Sequence, residues 1–192
     1  DVLFAKAAKT LLATGAKSLA LGGGVSANAH IRRVFAERLA LDHPEVKLVF
    51  LPNPNNPTGT YFTKTEFVDF MKVAAQKDIF VILDEAYVEF VRALDYPLGM
   101  EFQKKHPNIL LLRTMSKVFG LAGARVGVLI APPEVCNMLN RVRKPFNINS
   151  LAQVAVIAAL QDTAHLEKIK ELTWAGLDYY YSEMDKMGLD YC

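Results

Sequence analysis

Five short apolar runs, at 18–21, 46–51, 79–83, 109–112 and 126–130, set what this chain can become. Helix-period segments separate them. Leu3, Ala7, Leu11 and Leu12 mark a helix over 2–14 with Gly15 as its stop, and Ile31–Ala40 repeats the pattern until His43-Pro44 breaks it. Thr63 or Thr65 caps a helix running through Gln76, with Phe67, Phe70, Met71 and Ala74 on one face. Continuously apolar strands alternating with helices specify an α/β fold whose sheet is mostly parallel and covered on both sides. Functional groups then belong at the carboxyl ends of the strands.

After a loop at Pro145–Asn149, a helix-favouring stretch runs from Ser150 through Ala152, Val156, Ala159 and Leu160, and with a break to Met184. It reads as a connector. Gly188-Leu189-Asp190-Tyr191-Cys192 reads as the approach to a strand of a second domain.

At 192 residues and 52% hydrophobic, the chain can bury one substantial core. Its +2 charge, from 22 basic and 20 acidic side chains, is too weak a field to argue for nucleic acid or an anionic membrane. Small molecules or a second subunit are the expected partners. Cys136 and Cys192 form neither a disulfide framework nor a zinc pair. With no leader-like opening and no run of about 18 apolar residues, this points to the cytoplasm. His30, His43, His106 and His165 share no ligand spacing, so no metal is expected. Gly22-Gly23-Gly24 lacks the residues of a phosphate-binding fingerprint and reads as a turn.

Three motifs follow apolar runs and so converge on one sheet edge: Asn53-Pro54-Asn55-Asn56-Pro57-Thr58-Gly59, Asp84-Glu85-Ala86-Tyr87 and Arg113-Thr114-Met115-Ser116-Lys117, with Arg125 eight positions on. Together they match pyridoxal phosphate chemistry. The amine of Lys117 can join the cofactor covalently, and the carboxylate of Asp84 can keep a pyridine nitrogen protonated. Asn56 and Tyr87 can donate to a phenolic oxygen. Arg125, Thr114 and Ser116 offer the cation and hydroxyls a phosphate needs.

At these residues the chain resembles the fold-type I pyridoxal-phosphate aminotransferases, and among them the histidinol-phosphate branch. The cofactor motifs carry the wider resemblance. Glu89-Phe90, Gly120-Leu121-Ala122-Gly123 and Arg143-Lys144-Pro145-Phe146-Asn147-Ile148-Asn149 carry the narrower one. The resemblance implies a three-layer large domain, with a mostly parallel sheet and helices on both faces, truncated at both ends. Residues 1–145 would be the central part of the cofactor-binding domain, 146–185 the connector helix region, and 186–192 the start of a smaller C-terminal domain. It also implies transamination between an amino acid, histidinol phosphate foremost, and 2-oxoglutarate, in a homodimer, with a cis Asn56–Pro57 bond.

The resemblance makes Lys117, Tyr87 and Asp84 catalytic. It assigns Lys117, Asn56, Asp84, Tyr87, Thr114, Ser116 and Arg125 to the cofactor. The family's ring-stacking aromatic residue, its earlier phosphate turn and its carboxylate-binding arginine are not recognisable in the chain. An aromatic or aspartate aminotransferase, a phosphothreonine decarboxylase and a non-catalytic cofactor-sensing domain are the alternatives. The Arg141, Arg143, Lys144 cluster reads as a solvated face, or as a lure for a phosphorylated substrate at the mouth of the site.

Overall fold

A computed structural model describes residues 18–20 and 48–191. The segments expected as helices at 2–14 and 31–40, the Gly22–Gly24 turn and Cys192 lie outside them. Five strands form one sheet in sequential order: β1 Ser18–Ala20, β2 Leu48–Pro52, β3 Phe80–Asp84, β4 Ile109–Thr114 and β5 Gly127–Ile130. The first four are parallel, while β5 runs antiparallel to β4 with Thr114 opposite Gly127 and Leu111 opposite Ile130. The apolar runs are therefore strands.

Helix α1, Lys64–Gln76, starts where the chain supplies a capping box. The Thr63 hydroxyl accepts from the Glu66 N–H, and the Glu66 carboxylate accepts from the Thr63 N–H at 2.9 Å. Thr63, rather than Thr65, is thus the cap. Phe67, Met71 and Ala74 pack on Val49, Leu51, Val81, Leu83, Ile109 and Leu111, with Phe70 half-buried beside them. Phe102 of α2, Gly99–Gln103, joins the same cluster and meets the Phe67 ring edge-on at 4.9 Å.

The other sheet face is more open, for Phe50 and Ile82 are half-buried and Phe80 is 40% exposed. Helices α3, Pro133–Val142, α4, Ser150–Gln161, and α5, Thr163–Met187, follow β5. The connector stretch breaks at Asp162, whose side chain caps α5 by accepting from the His165 N–H. Gly188 ends α5 in the left-handed conformation, φ 65°, and residues 189–191 form no strand.

Candidate active site

The carboxyl ends of β2, β3 and β4 bring the three motifs together. Asn53 extends β2 by donating its N–H to Asp84 O at 2.9 Å, and its side-chain oxygen accepts from the Phe62 N–H at 2.8 Å. The loop that follows carries cis Asn53–Pro54 and Asn56–Pro57 bonds, and Asn55 closes it with backbone bonds to Thr60 and Gly59. Its tip presents Asn56, whose Nδ2 donates to the Tyr87 hydroxyl at 2.6 Å. Two polar groups 31 residues apart therefore act side by side.

Asp84 is the last residue of β3, and one of its oxygens accepts from the Ala86 N–H at 3.0 Å. That bond fixes the carboxylate and leaves the second oxygen for another donor. Thr114 ends β4 and its hydroxyl accepts from the Ser116 N–H at 3.1 Å, so it also shapes the turn that carries Ser116 and Lys117. The Lys117 side chain is exposed, with Nζ 5.0 Å from the centre of the Tyr87 ring. Arg125 stands in the left-handed conformation, φ 55°, and donates to Ala122 O at 3.1 Å.

Two clefts meet at Lys117. The smaller, about 560 Å³, is bordered by Asp84, Thr114, Ser116, Lys117 and Arg125. The larger, about 850 Å³, is bordered by Asn56, Tyr87 and Lys117 on one side and by Trp174, Tyr180, Tyr181 and Met184 of α5 on the other. All seven residues singled out from the sequence thus lie on this pair of clefts. The basic cluster borders neither of them. Arg141 is exposed on α3, and Arg143 is held by Asn140 and Asn147 at 2.7 and 2.8 Å, in a separate hollow with Lys144 and Phe146.

This donor set fits pyridoxal phosphate. Asp84 would offer a fixed carboxylate to a ring N–H, Asn56 and Tyr87 two adjacent donors to a phenolic oxygen, and Arg125, Thr114 and Ser116 a cation and two hydroxyls around one hollow to a phosphate. Among the described residues no group of three or more His, Cys, Asp or Glu is placed to hold a metal, and no helix is long and apolar enough to cross a membrane.

Several supporting residues are absent from the sequence-based site. Glu85 is wholly buried, and its carboxylate accepts from Arg113 Nε at 3.0 Å, Arg113 Nη2 at 2.8 Å and the Gly99 N–H at 2.8 Å. Its position inside Asp84-Glu85-Ala86-Tyr87 is the signal that could have found it. Neighbouring strand residues point to opposite faces, so beside a cleft-facing Asp84 the next carboxylate must go inward and find a cation. Glu89 lies 3.9 Å from Arg113, and burial pushes its carboxyl above the ordinary value against the pull of that guanidinium. Tyr96 donates its buried hydroxyl to Asn53 O, tying the Asn loop down, and burial together with the Glu85 charge raises its phenol far above the usual range.

On the far wall, α5 is fastened just beyond Tyr87. Trp174 Nε1 donates to Phe90 O at 2.9 Å, and Arg92 forks onto both Asp178 oxygens at 2.8 and 3.1 Å. The Arg92 pair holds the Asp178 carboxyl below its ordinary value.

A family model for class I and II aminotransferases matches residues 15–192, and the chain belongs to that family. The histidinol-phosphate aminotransferase of Bdellovibrio bacteriovorus is 53% identical over 154 residues, covering 79% of this chain and 41% of that protein. The enzyme of the same name from Moorella thermoacetica is 45% identical over 163 residues, 84% of this chain and 42% of that one. The histidinol-phosphate aminotransferase structure from Clostridium acetobutylicum aligns with a TM-score of 0.70 at 28% identity, over 79% of this chain and 45% of that one. The Sinorhizobium meliloti enzyme, solved in complex with pyridoxal-5'-phosphate, aligns with a TM-score of 0.63 at 30% identity, over 71% and 36%. The chain thus spans about two fifths of the length of the curated relatives it matches.

Proposed function

We propose that the protein supplies the cofactor-binding part of a pyridoxal-phosphate-dependent aminotransferase that moves an amino group between histidinol phosphate and 2-oxoglutarate, a step of histidine biosynthesis. Residues 1–145 form the central part of the large domain, 146–185 the connector, and 186–192 the beginning of a smaller domain. The working enzyme is a cytoplasmic homodimer. The observation that carries the reading is the meeting of two clefts at Lys117, with Asp84, Thr114, Ser116 and Arg125 around one and Asn56 and Tyr87 on the other. Relatives named for histidinol phosphate, at 53% and 45% identity, support the substrate.

When bound, the cofactor supplies an electron sink that stabilises negative charge at the substrate carbon. The remaining work falls to the chain. Asp84, fixed by the Ala86 N–H, holds a proton at the ring nitrogen with its second oxygen. Asn56 and Tyr87, already within 2.6 Å of each other, donate to the phenolic oxygen. The Thr114 and Ser116 hydroxyls and the Arg125 guanidinium take the phosphate and fix the ring's orientation. Lys117 would anchor the cofactor through Nζ, and the same amine, once displaced by the substrate amine, would carry the proton from the substrate carbon to the cofactor carbon that bears the nitrogen.

Borohydride reduction of the protein loaded with pyridoxal phosphate, followed by peptide mapping, tests the site. The adduct is expected on Lys117; an adduct spread over other lysines refutes it. Adding histidinol phosphate to the unreduced complex should change its visible absorbance more than aspartate does, and the reverse order would reassign the substrate.

A further inference from the structure

We infer that Arg113 is a positioning residue, a guanidinium that sets the separation of the strand ends bearing Asp84 and Lys117; the inference rests on the site reading above. Arg113 directly precedes Thr114, and Glu85 directly follows Asp84. In the β3–β4 register Asp84 faces Leu112, so Glu85 and Arg113 are the next pair beyond the ladder, and the Glu85 N–H continues it by donating to Leu112 O at 2.9 Å.

Two Arg113 nitrogens, at 3.0 and 2.8 Å, hold one Glu85 oxygen, while the Gly99 N–H holds the other at 2.8 Å. Glu85 has no exposed surface, so it cannot follow a displaced Arg113 into water. A third contact reaches the segment after Tyr87, for Arg113 Nη1 lies 3.9 Å from Glu89 Oε1. One side chain therefore touches the residue after Asp84 and the turn after Tyr87 while its own backbone leads into Thr114, Ser116 and Lys117. A planar fork fixes direction as well as distance, which a single ammonium cannot do.

Simple neutralisation of Glu85 and positioning of the site differ in what Arg113→Lys does, because that variant keeps the charge and loses the fork. Amide exchange in the cofactor-free protein reads the two strand ends directly, through the Ala86 N–H on Asp84 and the Ser116 N–H on Thr114. With positioning, both amides exchange about fivefold faster in Arg113→Lys while core amides such as Val81 hold their rates. Pyridoxal phosphate, measured by equilibrium dialysis, binds about tenfold more weakly, and the pH midpoint of its visible band shifts. Parental exchange rates, affinity and midpoint in Arg113→Lys overturn the inference.

If Arg113→Lys does not fold, Glu89→Gln carries the test, since it leaves the Glu85 pair intact and loosens only the third contact. Faster exchange at Ala86 then supports positioning, and unchanged exchange refutes it. Failure of the parent protein to take the cofactor at Lys117 would overturn the proposed function, while the exchange rates would still judge Arg113.

Discussion

Gly99→Ala exposes how tightly the site's foundation is built. A methyl group there would sit 2.5 Å from Glu85 Oε1 and 2.7 Å from Leu111 Cδ2, both on fully buried residues. Neither neighbour has room to yield. Moving the carboxylate breaks its 2.8 Å bond from Gly99 or its fork from Arg113, and a charge-assisted bond lost in the interior costs about 1.5–3 kcal/mol. Overpacking against Leu111 adds about 1–3 kcal/mol, while the better helix propensity of alanine in α2 offsets at most about 1 kcal/mol. The net loss is about 1.5–6 kcal/mol, which for a chain of this size lowers the melting temperature by about 3–24 °C. Thermal unfolding followed by circular dichroism gives the answer. Gly176→Ala, in α5 with no atom within 4 Å of the added methyl, is the control and should raise the melting temperature by a few degrees. A Gly99→Ala protein that melts with the parent would refute the packing argument.

Glu89→Gln tests a pH effect. Its carboxyl is raised from 4.5 by burial, so the folded state holds its proton more tightly than the unfolded chain and stability falls as pH rises from 4.5 through the folded value. Glu89→Gln should therefore melt above the parent at neutral pH and alongside it near the low end of that window; melting curves at the two ends decide. Thr63→Ala removes the α1 capping box and should cost about 1 kcal/mol, read as a shift of the urea midpoint at constant slope. Asp178→Asn frees Arg92 and loosens the contact around Trp174, the single tryptophan, so its emission should shift to the red while far-ultraviolet circular dichroism holds. An unmoved emission maximum would mean that the Phe90 bond and the Lys170 ammonium over the ring seat the indole without Arg92.

Much of the fold is legible in the sequence because the informative residues act locally. The run at 79–83 announces β3 by composition alone, and Thr63 or Thr65 announces the start of α1, the choice between them falling to the Glu66 bonds of the folded chain. The site motifs are legible because each ends a strand, and parallel strands deliver their ends to one edge. What escapes depends on distant pairings. Nothing in Val126–Ile130 states which way β5 runs, since apolar content has no direction. Glu85 and Arg113 are 28 residues apart, and neither has a local feature naming the other. Helix α2 is five residues long and begins with glycine, too short for a periodic signal. Helix α3 does carry a readable one, Pro132-Pro133-Glu134, with proline and an acid in its first turn.

The direction of β5 decides where Arg125 can stand. Because β5 runs against β4, Gly127 pairs with Thr114, and the segment 115–126 leaves and rejoins the sheet at one edge. In the parallel sense, Gly127 would lie opposite Leu111, about 10 Å down the strand, and Arg125 would enter from the far side with a crossover to cover the distance. Lys117 and Arg125 share a cleft because this single strand turns back. The sheet's departure from parallel order thus works as a hairpin clasp, closing the chain around the hollow it must serve.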